Sequence, residues 1–285
     1  MMNNQPSEKK QINYKKSFCA FLDILGFQSL VNSNEGKSKL EHYFWLVNSR
    51  RDYLKGIQDK TDIKILGVSD SIIMSYELVD DFEKDIDRFR HFLLAIALIQ
   101  SSFATHNIWL RGGVSIGDVA FEPDESFIVG RGYIQAYKLE QVAKYPRVIL
   151  DTNVVKELGL SSFQELIQNI NNKSVISGFS NWKGDIIYDW YNNVQMNTPL
   201  VQDVPLFIDY LAFTIQKEQD ALDIVNHLKI NFLSSVDHFE KYQWVARYIK
   251  NKIDKRNFSS QGELEPELKE IYDMISKEIS GLGIR

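Results

Sequence analysis

Strand patterns and helical patterns alternate between residues 17 and 150, and this alternation restricts the possible fold more than any other feature of the chain. The stretch SFCAFLDIL at 17–25 predicts a strand that is apolar on both faces. The stretch DIKILGVSDSIIMSYE at 62–77 predicts a hairpin with its turn at 68–71. Between residues 80 and 106, apolar residues recur at spacings of three and four, which predicts a long amphipathic helix.

The remaining patterns complete the order of elements. A helical stretch from about Ser29 to Lys55, broken by the turn NSNEGKS, separates the first strand from the hairpin. NIWLRGGVSIGDV predicts a strand at 107–119, followed by the short strand FIVG, a helix from Arg131 to about Lys144, and the strand RVILD. The order β, α, β-hairpin, α, β, β, α, β predicts an α+β fold, a ferredoxin-like split unit with additions.

The patterns predict three parts of the chain. Residues 1–16 are polar and basic and predict a flexible N-terminus, and residues 17–200 contain the alternating core. Residues 201–285, which include VPLFIDYLAFTIQ, predict a mostly helical C-terminal extension.

Composition excludes several classes of function. A net charge of −5 and a pI near 5.6 provide no basic field of the kind that nucleic-acid binding needs. The single Cys19 excludes an intramolecular disulfide, and the five histidines show no metal-ligand spacing. No signal peptide or apolar run of membrane-spanning length is evident, so we expect a cytoplasmic protein that binds neither nucleic acid nor membrane.

Asp23 is the residue that needs an explanation, because it lies in an apolar strand on the side opposite Leu22. A buried charge costs several kcal/mol unless it is paired or bound to a metal. The alternatives are a salt-bridged carboxylate at a strand end and a metal ligand. Asp70 lies in the predicted hairpin turn, where aspartate is also a favoured turn residue.

Four short motifs occur in a fixed order: FLDILGF at 21–27, SDSIIMSY at 69–76, LRGGVSIGDV at 110–119 and FIVGRGYIQAYKLE at 127–140. Together they resemble the catalytic domain of class III nucleotidyl cyclases over about residues 17–150. YPRVILD, WKGDIIYDWY and KYQWVARYIKN extend the likeness to about residue 255 and are similar to the pyrimidine cyclases of Pycsar antiphage defence.

The resemblance implies a nucleotidyl cyclase domain over 17–200 with a helical C-terminal extension. It implies conversion of UTP or CTP, with UTP favoured, to cyclic UMP or cyclic CMP plus pyrophosphate as a second messenger in antiphage defence. An effector that responds to the cyclic nucleotide would be encoded nearby. The open alternatives are an adenylate or guanylate cyclase with unusual base contacts, and a catalytically degenerate cyclase-like protein that binds a nucleotide.

The resemblance also implies two divalent cations, Mn²⁺ or Mg²⁺, held by Asp23, Asp70 and the backbone carbonyl of Ile24. Oxygen ligands suit such ions. Gly26 and Phe27 would turn the chain beneath the triphosphate, because glycine permits a close backbone approach that a side chain would block.

Class III cyclases build their site at the interface of a homodimer, so cations are expected from the partner's helix after FIVG. The family's Asn and Arg positions hold Ile134 and Lys138 here. Arg131, Gln135 and Lys138 share one helix stripe, so Arg131 or Lys138 would replace the missing arginine. The alternative is an ordinary solvated helix face.

Three further residues are predicted near the nucleotide. Lys183 aligns loosely with the family's phosphate-binding lysine. Leu66 and Phe127 occupy the places where adenylyl cyclases read adenine with Lys and Asp, and neither can hydrogen-bond a purine. A pyrimidine is therefore favoured, with Phe127 as a stacking surface or as a core residue.

Arg111, in the strand 107–119, is interpreted as the partner of a structural ion pair.

Overall fold

The computed structural model describes residues 12–32, 36–57, 62–171, 185–189, 206–215, 217–234, 236–259 and 266–283. Within these ranges the strands are β1 Lys15–Ile24, β2 Lys64–Val68, β3 Ser71–Glu77, β4 Leu110–Glu122, β5 Phe127–Gly130, β6 Val148–Leu150, β7 Ile187–Asp189 and β8 Leu206–Ile208. The helices are α1 Phe27–Val31, α2 Gly36–Ile57, α3 Phe82–Ala104, α4 Arg131–Ala143, α5 Asn153–Glu157, α6 Phe163–Asn171, α7 Leu211–Thr214, α8 Glu218–Ser234, α9 Val236–Ser259 and α10 Pro266–Gly281. None of the described helices has both the length and the apolar character needed to cross a membrane.

The strands form one sheet in the order β2-β3-β1-β4-β6-β8-β7, and β5 pairs with β4 outside this path. Strand β1 lies antiparallel between β3 and β4, and β2 pairs antiparallel with β3. The first four strands therefore have the order and directions of a ferredoxin-like unit, in which α2 connects β1 to the hairpin and α3 connects the hairpin to β4. The predicted α+β ferredoxin-like core is confirmed.

The side chains on the two faces of β1 belong to different hydrophobic clusters. Phe18, Leu22 and Ile24 join α2 and α3 in the main core, where the Phe18 ring stacks on Phe89 with centroids 4.7 Å apart. The alternate residues form what we call the opposite-face cluster, which consists of Cys19, Phe21, Ile73, Val119, Phe121 and Ala136. Because side chains alternate along a strand, Asp23 lies on the same face as this cluster, as its sequence position predicts.

Helix α4 packs directly on β4 because small residues line the contact. A Cβ added at Gly113 would lie 2.2 Å from Leu139 Cβ and 2.7 Å from the Ala136 carbonyl oxygen. The Ser115 hydroxyl donates to the Gly132 carbonyl at 2.6 Å and attaches the start of the helix to the strand. The glycines of the LRGGVSIGDV motif therefore set how closely this helix approaches the sheet.

The extension is helical except at its first described residues. The prediction of a helix through VPLFIDYLAFTIQ is wrong at 206–208, where a buried strand, β8, pairs with both β6 and β7. Phe207 pairs with Ile149 and with Tyr188, so sheet contacts decide the conformation of this apolar run. The division at residue 200 stays a prediction, although β8 on its C-terminal side belongs to the sheet.

Helices α7–α10 cover this edge of the sheet with a second hydrophobic cluster, the tail core, whose largest members are Trp109, Tyr188, Phe207, Tyr210, Trp244, Tyr248 and Tyr272. Asp209 is fully buried there and accepts hydrogen bonds from the Tyr248 hydroxyl and the Lys252 ammonium. A buried carboxylate needs such partners, so these two residues connect α9 to the end of β8.

Replacing Gly113 by alanine should destabilise the fold by about 1–3 kcal/mol or more, because the new methyl group would overlap α4. Gly281→Ala is the matched control, since a Cβ at that position has no heavy atom within 4 Å. Urea unfolding followed by circular dichroism measures both. Equal stability of the two variants would contradict the close packing of α4 on β4.

Candidate active site

Asp23 and Asp70 meet at one end of the central strands. The β1–β3 register places Asp23 opposite Ser71, the residue after Asp70. The Ile24 N–H donates to the Asp70 carbonyl at 3.2 Å, and Ser69 takes a left-handed conformation with φ 55° that tightens the turn. Hairpin pairing therefore brings two carboxylates that are distant in sequence to the same place, as predicted.

Arg111 connects Asp23 to helix α4. It lies opposite Asp23 in the β1–β4 register, and its Nη2 is 3.4 Å from Asp23 Oδ2. Its Nε lies 2.5 Å from Glu140 Oε1, an ion-pair contact whose angle departs from that of a hydrogen bond. The interpretation of Arg111 as a structural ion-pair partner is confirmed, and its two acids come from different elements.

Glu140 is a site residue that the sequence reasoning missed. It is 4% exposed and lies on the buried stripe of α4, which otherwise holds only small residues: Gly132, Ala136 and Ala143. A glutamate is almost never fully buried unless it is paired. The signal that could have revealed it is this one acid among small residues at helical spacing.

The site contains more negative charge than its arginine balances. Burial, then the charges of Glu140 and Asp70, raise the pKa of Asp23 to about 7, against the opposing effect of Arg111. Burial also raises the pKa of Glu140, and the charge of Asp70 adds to it. Tyr43 of α2 has a buried hydroxyl that finds no hydrogen-bond partner among the described residues, and its pKa is raised by burial and by both aspartates.

The donors at this strand end fit a hard divalent cation, because carboxylate oxygens with surplus negative charge are the ligands such ions prefer. The candidates remain the Asp23 and Asp70 carboxylates and the Ile24 carbonyl. In the ranges that the structure describes, no three or more His, Cys, Asp or Glu side chains are grouped to hold a metal. The two-cation site stays a prediction.

Gly26 and Phe27 have separate structural roles. Gly26 has φ 78° and ψ 21°, a left-handed conformation that favours glycine, and its carbonyl accepts the Leu30 N–H at 3.0 Å. The Phe27 side chain packs against the main core. The predicted turn after β1 is thus confirmed as a glycine turn, whereas its contact with a triphosphate stays a prediction.

The two predicted base-site residues lie in different surroundings. Leu66 of β2 pairs with Ile73 and packs against the opposite-face cluster, on the face of the sheet that carries Asp23. Phe127 is half-buried at the start of β5 and pairs with Glu122. Contact of either residue with a base stays a prediction.

The predicted cations are not joined to the aspartates within one chain. Arg131 and Lys138 are exposed on α4, and Gln135 is half-buried. Among the described residues, no hydrogen bond or ion pair links these three side chains to Asp23 or Asp70. Lys183 lies outside the described residues, so its phosphate-binding role stays a prediction.

No protein-family model and no curated protein matches the chain. Solved structures similar to it include the adenylyl cyclase CyaB from P. aeruginosa, with 18% identity and a TM-score of 0.38 over 60% of this chain and 92% of that one. The dimeric guanylyl cyclase domain of RhoGC from Blastocladiella emersonii has 18% identity and a TM-score of 0.38 over 57% and 86%. A class III adenylyl cyclase-like ATP-binding protein from Pseudomonas aeruginosa has 11% identity and a TM-score of 0.40 over 95% and 72%. All three similarities are distant.

Asp23→Asn should gain stability relative to the native protein as pH rises from 5 to 8 in a buffer containing a chelator. An unfolded aspartate ionises near pH 3.9, whereas folded Asp23 ionises near 7. Stability contributed by the protonated form is therefore present below pH 4 and lost as pH rises through 7. Asparagine cannot ionise, so the difference in melting temperature should become more positive at pH 8.

Thermal unfolding of both proteins at the two pH values measures this difference. Asp118→Asn, at an exposed position of β4, is the control variant. A difference between Asp23→Asn and the native protein that is the same at pH 5 and pH 8 would contradict the raised pKa of Asp23.

Proposed function

We propose that the protein catalyses the metal-dependent cyclisation of a pyrimidine nucleoside triphosphate, UTP in preference to CTP, to a 3′,5′-cyclic nucleotide and pyrophosphate. The main observation behind this proposal is that Asp23 and Asp70 lie close together at one end of a ferredoxin-like sheet. The carboxylates at this end carry more negative charge than Arg111 balances. The motif resemblance supports the nucleotide class and a role for the product as second messenger in antiphage defence.

In the proposed reaction, the ribose 3′-oxygen forms a bond to the α-phosphorus as the bond from that phosphorus to the bridging oxygen breaks. Pyrophosphate leaves with the bond's electron pair, and the hydroxyl proton passes to solvent. Divalent cations bound here would stabilise the negative charge on the attacking and leaving oxygens. Asp23, Asp70 and the Ile24 carbonyl would hold them.

The chain's own residues would keep these carboxylates in position. Arg111 contacts Asp23 on one side and Glu140 on the other, so rotation of the Asp23 carboxylate is restrained from β4 and α4 together. Such preorganisation lowers the cost of arranging the site during reaction. Arg111 is a positioning residue in this mechanism.

The preference for a pyrimidine is supported by the apolar side chains at the two base-reading positions. Leu66 and Phe127 present no hydrogen-bonding group to the polar edge of a purine. A site that selects a base by hydrogen bonds needs polar groups matched to it. The preference for UTP rests on the resemblance alone.

The proposed enzyme acts as a homodimer in which each α4 serves the partner's site. Arg131 and Lys138 are exposed cations on this helix, and the exposed Ile134 and Tyr137 (49% and 43%) are apolar residues suited to an interface. Lys138 occupies the position of the family's arginine but lacks its bidentate fork. Arg131 and Lys138 are therefore both candidates to replace that arginine.

A second candidate function is nucleotide binding without turnover. The ion pair between Arg111 and Asp23 favours it, because this contact occupies an oxygen of a proposed metal ligand. Ile134 also cannot make the hydrogen bond that the family's asparagine would make. A purine cyclase with unusual base contacts is the remaining enzymatic alternative.

Incubation of the full chain with Mn²⁺ and each of the four ribonucleoside triphosphates, with products identified by mass, should yield cyclic UMP or cyclic CMP. Asp70→Ala should lower turnover at least about a hundredfold while the dimer persists in light scattering, because the proposed metal site loses a carboxylate. The exposed Asp124→Ala is the control. Formation of cyclic AMP or cyclic GMP would favour the purine cyclase alternative. Nucleotide binding without any cyclic product would favour the alternative of binding without turnover.

Mixtures of Asp23→Ala and Lys138→Ala proteins should regain activity through hybrid dimers. Each hybrid would contain one site with its aspartate and the partner's lysine intact, so about a quarter of native activity is expected at full exchange. A parallel mixture with Arg131→Ala identifies which cation acts. Fluorescence transfer between labelled subunits confirms exchange, and absence of rescue despite exchange would contradict a shared site.

A further inference from the structure

One edge of the Arg111 guanidinium is divided between two carboxylates. Its Nε lies 2.5 Å from Glu140 Oε1, and its Nη2 lies 3.4 Å from Asp23 Oδ2. Nε and Nη2 are neighbouring donors on one edge of the guanidinium, and together they match the two oxygens of a single carboxylate in a bidentate pair. Arg111 therefore uses for two acids the edge that could bind one of them fully.

Glu140 is the stronger of the two partners. The attraction between opposite charges increases as the distance between them falls and as they are removed from water. The Glu140 side chain is the nearer acid and is 5% exposed, against 17% for the Asp23 side chain. The 3.4 Å contact therefore orients the Asp23 carboxylate without holding it as tightly as a bidentate pair would.

The packing of α4 on β4 fixes the position of Glu140 relative to Arg111. A Cβ added at Gly113 of β4 would lie 3.2 Å from the backbone nitrogen of Glu140, so this turn of the helix lies directly on the strand. The Ser115 hydroxyl donates to the Gly132 carbonyl at 2.6 Å and attaches the start of the same helix. The Glu140 carboxylate therefore stays on one side of the guanidinium.

We propose that Glu140 is a positioning residue that draws the Arg111 guanidinium away from Asp23 and so leaves the Asp23 carboxylate open to a divalent cation. Without Glu140, both donors of this edge could pair with Asp23 and engage both of its oxygens. A guanidinium in that position would compete with a cation for the same oxygens. The inference rests on the proposed function for the role of Asp23 as a metal ligand, and it makes that role compatible with the ion pair to Arg111.

Titration of the full chain with Mn²⁺ alone, with the free ion measured by electron paramagnetic resonance, tests this role without requiring turnover. Glu140→Gln should weaken Mn²⁺ binding at least about tenfold, the lower end of the effect typical of residues that orient a metal ligand. Glu122→Gln, at the exposed opposite end of β4, is the matched control because it removes the same charge. Melting temperatures confirm that each variant is folded.

The loss of a nearby negative charge would weaken cation binding even if Arg111 were not involved, so the same substitution is also made in Arg111→Gln protein. Arg111→Gln alone should bind Mn²⁺ at least as tightly as the native chain, because the competing guanidinium is gone. In this background Glu140→Gln should lower the Mn²⁺ affinity much less than it does in the native chain. An equal loss in both backgrounds would overturn the inference, because Glu140 would then act on the cation directly.

Unchanged Mn²⁺ affinity in folded Glu140→Gln, weaker Mn²⁺ binding by Arg111→Gln, or no Mn²⁺ binding by the native chain would also overturn the inference. The Arg111→Gln measurement keeps the inference testable if Glu140→Gln does not fold. If no triphosphate is cyclised but the Mn²⁺ affinities follow the expected order, the proposed cyclisation fails while the positioning role of Glu140 stands.

Discussion

The pairing of β1 with both β3 and β4 is the constraint on which the rest of the structure depends. One register places Asp23 beside the hairpin turn that carries Asp70, and the other places it opposite Arg111. The same strand separates the main core from the opposite-face cluster by its alternation. A slip of one residue in either register would turn Asp23 into the main core and Leu22 out of it. The site and the hydrophobic core are therefore specified by the same hydrogen bonds.

Charge balance is the second organising feature. Glu140 reaches Arg111 only because the small residues of α4 let the helix lie on β4, and Arg111 in turn contacts Asp23. Through these two ion pairs, the position of the Asp23 carboxylate, a proposed metal ligand, depends on the position of α4. The surplus of carboxylates favours a cation at this strand end.

Most of the fold within residues 17–150 could be predicted from the sequence, because its periodicities are long and its turns are marked by glycine and aspartate. The hairpin, the long helix α3 and the face of Asp23 all follow from local patterns. Glu140 was missed because its importance depends on packing against a strand far away in sequence. The strand at 206–208 was missed because a short apolar run suits a helix or a strand equally, and only its pairing with β6 and β7 decides.

By itself, the sequence determined the order of elements, the apolar faces and the presence of an aspartate that required a partner, since these depend on residues close together in the chain. Only the tertiary structure decided which partners Asp23 has, that Glu140 is buried beside Arg111, and that Tyr242 of the extension packs on Trp109 near the same strand end. These contacts join residues separated by tens to hundreds of positions. Their energies depend on distance and burial in the folded state, which local sequence patterns do not contain.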